Sequence, residues 1–305
     1  MKDSLKKSAL GGVERALSGL PYTVKRGDTI TVSAKVGGGR VETLETELDS
    51  KRRVMVISSL TGLKVKEKYR REFSSLISEV NYALYDGSYD FDLQSGELCY
   101  RLTTAYSESW VDSAIIDREI KKALTLDGCM YETLERYASA LELPAFTARS
   151  PKSRGDRALK AYEELKGVLS RVGFRCKAYD DKLKISFDKY GDDLPMSFDV
   201  FVDDELLTLE SVLPFTVEEG RRKDLSCAAC IVTNLLIDGS FCFQSKDGKI
   251  IFRLTTSYKD ELGGKALEYM YARSLSTVER YNDKFHRLSR GRIKLKDFID
   301  EVYDT

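Results

Sequence analysis

Few side chains in this sequence are spaced for catalysis or for metal binding. The chain holds one histidine, His286, so a histidine base could serve at most one site. Cys227 and Cys230 form a C-x-x-C pair, but a zinc site needs two further ligands, and neither a second such pair nor a pair of histidines is present. We predict that both cysteines are buried in an apolar helix and that the chain holds no metal; a redox pair is the alternative.

The tripeptide Asp-Gly-Ser occurs twice, at residues 86–88 and 238–240. A serine nucleophile needs an activating base within hydrogen-bond reach, and one histidine could serve only one copy. Turn formation between a helix and a strand explains both tripeptides better. The glycines at 37–39 lack the Lys-Ser/Thr that completes a phosphate-binding loop. We therefore predict no catalytic residue and no cofactor.

The cations best suited to binding a partner occur at three positions, each repeated 152 residues further on. They are Arg70, Arg71, Arg101, Arg222, Lys223 and Arg253. Adjacent cations near a helix N-terminus oppose the helix dipole, so either solvation or binding must explain them. The arginines of the repeated R-L-T-T sequence are either structural or anchors for a carboxylate or carbonyl oxygen of a client. Trp110, the only tryptophan, is predicted to be a packing anchor rather than a binding hot spot.

Composition excludes several functional classes. The 305 residues include 49 Lys+Arg and 49 Asp+Glu, and this zero net charge disfavours nucleic-acid or anionic-membrane binding. The longest apolar stretch, residues 225–237, is shorter than the ~20 residues of a membrane span. The first 20 residues lack the apolar segment of a secretory signal. Scattered cysteines then indicate reduced thiols, and we expect a cytoplasmic protein.

An internal repeat organises the chain. Residues 86–106 and 238–258 align without a gap at an offset of 152, with 10 of 21 positions identical. Further on, TLERY at 133–137 returns as TVERY at 277–281. This match indicates a tandem duplication. We predict a first repeat over residues 1–143, a linker over 144–156 and a second repeat over 157–305.

Both repeats show the same order of elements. Each begins with a helix, at 3–18 and 157–172, and continues with alternating segments typical of strands. An amphipathic helix, a hairpin and a long helical region follow, the last at 108–142 and 264–289, with a short final helix at 295–303. The predicted strands before the amphipathic helix are 28–36, 40–48 and 52–59 in the first repeat, and 174–179, 183–189, 196–202 and 206–212 in the second.

This order predicts an α+β fold made of two tandem antiparallel sheets, each covered by helices and related by a pseudo-two-fold axis. In each hairpin we predict a two-residue turn, at Ser95-Gly96 and at Asp247-Gly248. That register would pair Phe91 with Tyr100 and place Arg101 opposite Asp90. In the second hairpin it would place Arg253 opposite Cys242, without an acidic mate.

The helix followed by an Asp-Gly-Ser-aromatic and Gly-apolar-aromatic-Arg hairpin resembles the YbjN-type proteins, which belong to the wider type III secretion chaperone-like fold. The matching positions are Gly87, Phe91, Gly96, Arg101, Gly239, Phe243, Gly248 and Arg253. The resemblance implies a non-enzymatic, protein-binding or regulatory role. Secretion chaperones of this fold are small acidic homodimers that hold an extended client segment, whereas this chain is neutral and carries two copies, as a built-in pseudo-dimer.

Three functional hypotheses follow. The first is a non-catalytic cytoplasmic module that binds a protein or an extended peptide, for example by strand addition to a sheet edge. The second is an enzyme of unknown class with its site in the cleft between repeats. The third is a weak nucleic-acid binder, supported only by the paired cations. The sequence leaves open whether the chain is a monomer or a homodimer, and which surface binds.

Overall fold

The computed structural model describes residues 2–37, 40–49, 51–105, 112–126, 129–140, 155–171, 175–190, 194–259 and 264–304. It contains two α+β repeats, each a six-stranded antiparallel sheet with helices packed on it. Most of the predicted linker, and Trp110, lie outside the described residues. None of the described helices combines the length and apolar composition needed to cross a lipid bilayer.

The first repeat begins with helix α1 (Lys2–Ala16) and four strands, and continues with α2, the hairpin β5–β6 and two helices. The bounds are β1 (Tyr22–Arg26), β2 (Ile30–Lys35), β3 (Thr43–Asp49), β4 (Val54–Lys64), α2 (Arg70–Ala83), β5 (Ser88–Phe91), β6 (Glu97–Ala105), α3 (Ser113–Thr125) and α4 (Cys129–Ala140). The strand order in the sheet is β1-β2-β3-β4-β6-β5.

The second repeat follows the same plan. Its elements are α5 (Asp156–Arg171), β7 (Cys176–Tyr179), β8 (Lys184–Tyr190), β9 (Pro195–Val202), β10 (Leu206–Val212), α6 (Arg222–Leu235), β11 (Ser240–Gln244), β12 (Lys249–Ser257), α7 (Gly264–Ser289) and α8 (Leu295–Tyr303). Its strand order, β7-β8-β9-β10-β12-β11, matches the first sheet strand for strand. The predicted α+β fold of two tandem repeats is confirmed.

Two elements of the first repeat differ from the prediction. Strand β1 was not predicted, because Tyr22–Arg26 lies at the sheet edge with both sides largely exposed and so carries no apolar alternation. The long helical region is divided by Leu126, which adopts a left-handed conformation with φ of 54° and ends α3. In the second repeat the corresponding region is one 26-residue helix, α7.

The predicted hairpin register is wrong by two residues in both repeats. Tyr89 pairs with Tyr100, and Phe91 pairs with Leu98, because the turn contains four residues rather than two. The carboxylate of Asp92 accepts hydrogen bonds from the backbone N–H groups of Gln94 and Ser95 and so stabilises the longer loop. A shift of two residues keeps every side chain on the same side of the sheet, so Phe91 and Tyr100 still share one face.

Each sheet buries one face beneath its amphipathic helix. In the first repeat Phe73 and Ile77 of α2 are fully buried against a hairpin face that includes Tyr89, Phe91 and Tyr100. Two hydrophobic cores result, one in each repeat. The cores meet between the repeats, where Cys230 of α6 packs into the core of the first repeat.

The closing glycine of each hairpin loop supplies a stability test. Gly248 has φ of 63°, and a Cβ added there would lie 2.5 Å from the carbonyl oxygen of Val217. We expect Gly248→Ala to lower the free energy of unfolding by about 2 kcal/mol, from the left-handed backbone and the contact together. Urea denaturation followed by circular dichroism measures the change.

Gly167→Ala is the matched control. Gly167 lies on the exposed side of α5, and a Cβ there would meet nothing within 4 Å. Alanine in a helix interior is favoured over glycine by about 0.5–1 kcal/mol, so this variant should gain stability. Equal effects of the two substitutions would contradict the backbone argument.

Candidate functional site

The two repeats pack against each other along a seam. Helix α2 lies on α6, each of these helices contacts the other repeat's hairpin, and β6 contacts β12. The residues that meet across the seam are related by the 152-residue offset, so the contacts occur in reciprocal pairs. The seam therefore has the isologous pattern of a two-fold dimer, built within one chain.

Arg101 and Arg253 form the centre of the seam. Each is about 95% buried, with exposures of 5% and 4%. Arg101 binds the carboxylate of Asp90 at 2.5 and 3.1 Å and donates to the carbonyl oxygens of Thr233, Ile237 and Gly239 in the other repeat. Burial opposes the charge on Arg101, but Asp90 reverses this effect and raises the arginine's pKa.

Arg253 repeats this arrangement in the opposite direction. Its Nε donates to Glu210 of β10 at 2.7 Å, so the predicted absence of an acidic mate is wrong. The mate lies on the neighbouring strand, where hairpin register alone could not place it. The terminal nitrogens of Arg253 donate to carbonyl oxygens of the first repeat, at Asn81, Tyr82 and Leu84. Each arginine thus binds the C-terminal end of the other repeat's helix.

Cations at the rim of the seam are also paired within the chain. Arg71 binds Asp224, and Lys223 binds Glu72 at 2.7 Å, so the two ion pairs are equivalent under the 152-residue offset. Arg70 donates to the carbonyl oxygens of Val65 and of the hairpin-loop residues 93–95. These contacts remove most of the support for a nucleic-acid interface.

A buried ionic cluster joins α3 to the second repeat. The carboxylate of Asp86 accepts hydrogen bonds from Lys122 and Thr255, each at 2.8 Å. Glu119, which is 1% exposed, accepts from Ser257 at 2.7 Å and contacts Lys122 at 3.3 Å. Burial raises the pKa of Glu119, and the negative charge of Asp86 raises it further. The contacts of Asp86 more than offset the effect of burial, so its own pKa is lowered.

The space on the pseudo-two-fold axis is too small for a substrate. A cavity of about 10 Å³ lies there, lined by four pairs of equivalent residues. They are Gly87, Ser88, Arg101, Thr103, Gly239, Ser240, Arg253 and Thr255. A volume of this size matches about one water molecule. The axis is therefore a structural centre.

A larger pocket of about 270 Å³ opens at one end of the α2–α6 contact. Its apolar walls are Leu76, Tyr137 and Phe243, all largely buried. Its polar lining consists of Glu72, Ser75, Glu79, Arg222, Lys223, Ser226 and Ser245. The Nε of Arg222 is buried and has no hydrogen-bond partner among the described residues. Burial raises the pKa of Glu79, and a hydrogen bond with Ser245 opposes that shift.

Among the described residues, the symmetry-related end of the seam differs from the pocket in two respects. Leu93 occupies the position that corresponds to Ser245, and it packs against both hydrophobic cores. Arg70 corresponds to Arg222, and it is bound to the loop that contains Leu93. An aliphatic side chain and a set of carbonyl oxygens therefore occupy one end of the seam, while the other end is open.

The six predicted partner-binding cations divide accordingly. Arg101 and Arg253 are buried in the seam and are not accessible to another molecule, which corrects their prediction as client anchors. Arg70 and Arg71 are bound within the chain, whereas Arg222 and Lys223 line the pocket. Sequence reasoning missed Ser245 and Glu79. The replacement of Leu93 by Ser245 in the aligned repeats was the signal that could have found the pocket.

The cysteine pair and the serine of the first Asp-Gly-Ser tripeptide lie in buried, structural surroundings. Cys227 and Cys230 are buried in α6, and burial raises the pKa of both thiols, so they are poor thiolate nucleophiles. Ser88 is buried and donates to Asp90 at 2.9 Å. His286 lies on α7 with its ring 5.3 Å from that of Phe215. Among the described residues no group of three His, Cys, Asp or Glu side chains is placed to hold a metal.

The open sheet edges are short and charged. Each sheet has two edge strands, β1 and β5 in the first repeat and β7 and β11 in the second. Strands β5 and β11 contact α2 and α6 at the seam, which leaves β1 and β7 as the edges away from it. Lys25 and Arg26 lie on β1 and Lys177 on β7, all exposed. Short edges with cations discourage strand addition, so the pocket is the better candidate site.

Comparison with known proteins found no matching family model, no similar curated protein and no similar solved structure. The resemblance to the YbjN-type proteins therefore stays a prediction. The fold defines the protein as a tandem α+β pseudo-dimer with a pocket at one end of the seam between its repeats.

Replacing a seam arginine with alanine should lower the free energy of unfolding far more than replacing a rim arginine. Arg101→Ala leaves Asp90 buried without its partner, and we expect a loss of about 3–5 kcal/mol in the free energy of unfolding. Arg71→Ala breaks an ion pair whose arginine is 55% exposed, so its loss should stay below about 1 kcal/mol. Chemical denaturation of both variants measures the difference, and similar losses would refute the central role of Arg101.

The buried carboxyl of Glu119 should make stability depend on pH. Its folded pKa is raised, so its contribution is complete below the ordinary value of 4.5 and is lost as pH rises through the folded value. Between pH 4.5 and 8, the stability of Glu119→Gln relative to wild type should therefore increase. Glu72→Gln is the control, because the hydrogen bond from Lys223 lowers the pKa of Glu72, so its contribution to stability is lost only as pH falls below 4.5 and stays nearly constant across this window. Parallel stability curves for wild type and Glu119→Gln would contradict this assignment.

Proposed function

We propose that the protein is a non-catalytic, cytoplasmic, chaperone-like or regulatory module that binds an extended segment of another protein in the pocket at the seam. The observation that carries this proposal is the composition of the pocket, whose apolar walls are surrounded by charged and hydroxyl side chains. Receptor pockets for anchor side chains in protein–protein interfaces have this composition.

Pocket size supports a protein ligand over a small-molecule substrate. Sites that enclose a small molecule usually measure about 300–1,000 Å³. The pocket, at about 270 Å³, lies just below that range and is open to the surface. It suits one or two side chains of a segment that continues over the protein surface. The intrachain pseudo-dimer gives such a pocket a rigid frame, since its walls come from both repeats.

An enzyme with its site in the same pocket is the second candidate. One observation favours it: Glu79 is partly buried there, and its raised pKa suits a general acid or base. The lining includes serine hydroxyls but no histidine, and its lysine, Lys223, binds Glu72 through Nζ at 2.7 Å rather than a serine hydroxyl. Binding without chemistry is therefore the better-supported function.

Site-specific photo-crosslinking tests the proposal. A photoreactive phenylalanine analogue replaces Ser75 in the pocket of the full chain, expressed in its native cells. We expect covalent adducts with a protein, because a bound segment would lie within reach of that position. Mass spectrometry of the adducts identifies the crosslinked segment.

The same analogue at Lys160 supplies the control, because Lys160 is exposed on α5, away from the pocket lining. Adducts should form from position 75 and not from position 160. Equal adducts from both positions, or none from position 75, would count against a protein ligand in the pocket.

A further inference from the structure

The two ends of the seam differ in a way that indicates the chemistry of the bound segment. At the closed end, Leu93 supplies an aliphatic side chain that packs against both cores. The carbonyl oxygens of residues 93–95 accept hydrogen bonds from the guanidinium group of Arg70. The hairpin loop thus supplies both the aliphatic side chain that fills this end and carbonyl oxygens that bind its arginine.

At the open end, the equivalent loop supplies neither an aliphatic side chain nor carbonyl oxygens bound to the arginine. Ser245 stands where Leu93 would be, so an aliphatic side chain is missing from the apolar walls of Leu76, Tyr137 and Phe243. The equivalent arginine, Arg222, has a buried Nε without an acceptor among the described residues, whereas the Nε of Arg70 donates to the carbonyl oxygen of Val65. An acceptor oxygen from a ligand would satisfy the guanidinium group of Arg222.

The charges of the open end are complementary to an acceptor. Lys223 is neutralised by Glu72 at 2.7 Å, which leaves Arg222 as the cation of the lining without an ion pair among the described residues. The carboxyl of Glu79 is partly buried, and its raised pKa reduces its negative charge. The unpaired donor of Arg222 therefore favours a carbonyl or carboxylate oxygen.

We propose that the open end takes a peptide segment with a leucine-like side chain followed directly by acceptor oxygens, of a carboxylate or of the backbone. The side chain fills the space beside Ser245, and the oxygens bind Arg222. The segment thereby supplies an aliphatic side chain, as Leu93 does at the closed end, and acceptor oxygens for the guanidinium group, as Val65 and residues 93–95 do for Arg70. This inference rests on the proposed function, since it names the chemistry of the segment bound in that pocket.

A leucine at position 245 should close the pocket, because the equivalent position of the first repeat already holds Leu93. Ser245→Leu introduces the residue that the equivalent position of the first repeat already accommodates, so the variant is expected to fold. Ser245→Ala removes the hydroxyl and its hydrogen bond to Glu79 while it keeps the space open, so it separates the loss of the hydroxyl from the filling of the pocket. Lys246→Leu adds an apolar side chain at the exposed neighbouring position. Circular dichroism and thermal denaturation establish that each variant is folded.

The test is selection from a phage-displayed library of random 12-residue peptides against the full wild-type chain. We expect enriched peptides with Leu, Ile or Met next to Asp or Glu. Fluorescence anisotropy then measures the affinity of synthetic enriched peptides for each variant. Ser245→Leu should weaken binding at least ~10-fold and far more than Ser245→Ala does, Arg222→Met should weaken it ~10-fold through loss of a charge-assisted hydrogen bond, and Lys246→Leu, outside the pocket lining, should bind as wild type does.

Two negative results are distinguishable. Enriched peptides that bind Ser245→Leu and wild type equally would show that the chain binds extended segments elsewhere, which overturns this inference and leaves protein binding in place. Failure to enrich any peptide would overturn this inference and also count against the proposed function. Enrichment of aliphatic peptides without an acidic residue, with unchanged affinity for Arg222→Met, would overturn the role of Arg222.

Discussion

The burial of two arginines determines how this chain is assembled. A buried guanidinium is costly unless its charge is balanced and its donors are bonded. Arg101 and Arg253 each find a carboxylate within their own repeat, but their remaining donors end on carbonyl oxygens of the other repeat. Those carbonyls lie at and just beyond a helix C-terminus, where a cation is also favoured by the helix dipole. Neither repeat satisfies its own arginine, so the seam is part of the fold of both.

Duplication within one chain allows the two ends of the seam to diverge. In a homodimer every substitution appears at both symmetry-related sites, whereas here each position can change alone. The seam arginines are the same in both repeats, but several pocket positions differ: Leu93 corresponds to Ser245, and Ile231 corresponds to Glu79. Such exchanges separate a closed end from an open one. Helix α8 adds to the asymmetry, because it packs on α6 and α7 in the second repeat.

Sequence reasoning was most successful where a pattern is local. The helix of each repeat that covers the hairpin, the strands with apolar alternation and the duplicated order all followed from periodicity and from the offset of 152. Strand β1 was missed because an edge strand exposed on both sides has no apolar signature. In the first hairpin the predicted register was wrong because Asp92 accepts two loop N–H groups and so stabilises four turn residues, which the two-residue turn at Ser95-Gly96 does not anticipate.

The candidate site shows the limit of such reasoning. The six cations were recognisable as a repeated set, but their roles depend on which repeat each one faces. By itself the sequence determined two copies of one α+β plan, their hydrophobic faces and the identity of the conserved seam residues, since these follow from spacing along the chain. Only the tertiary structure decided that Arg101 and Arg253 bind across the seam, that Arg222 has an unpaired donor and that Ser245 leaves a pocket. Those properties arise between residues about 130 to 170 positions apart, such as Arg101 and Thr233 or Arg253 and Asn81, and the distances between such residues are set by packing rather than by sequence period.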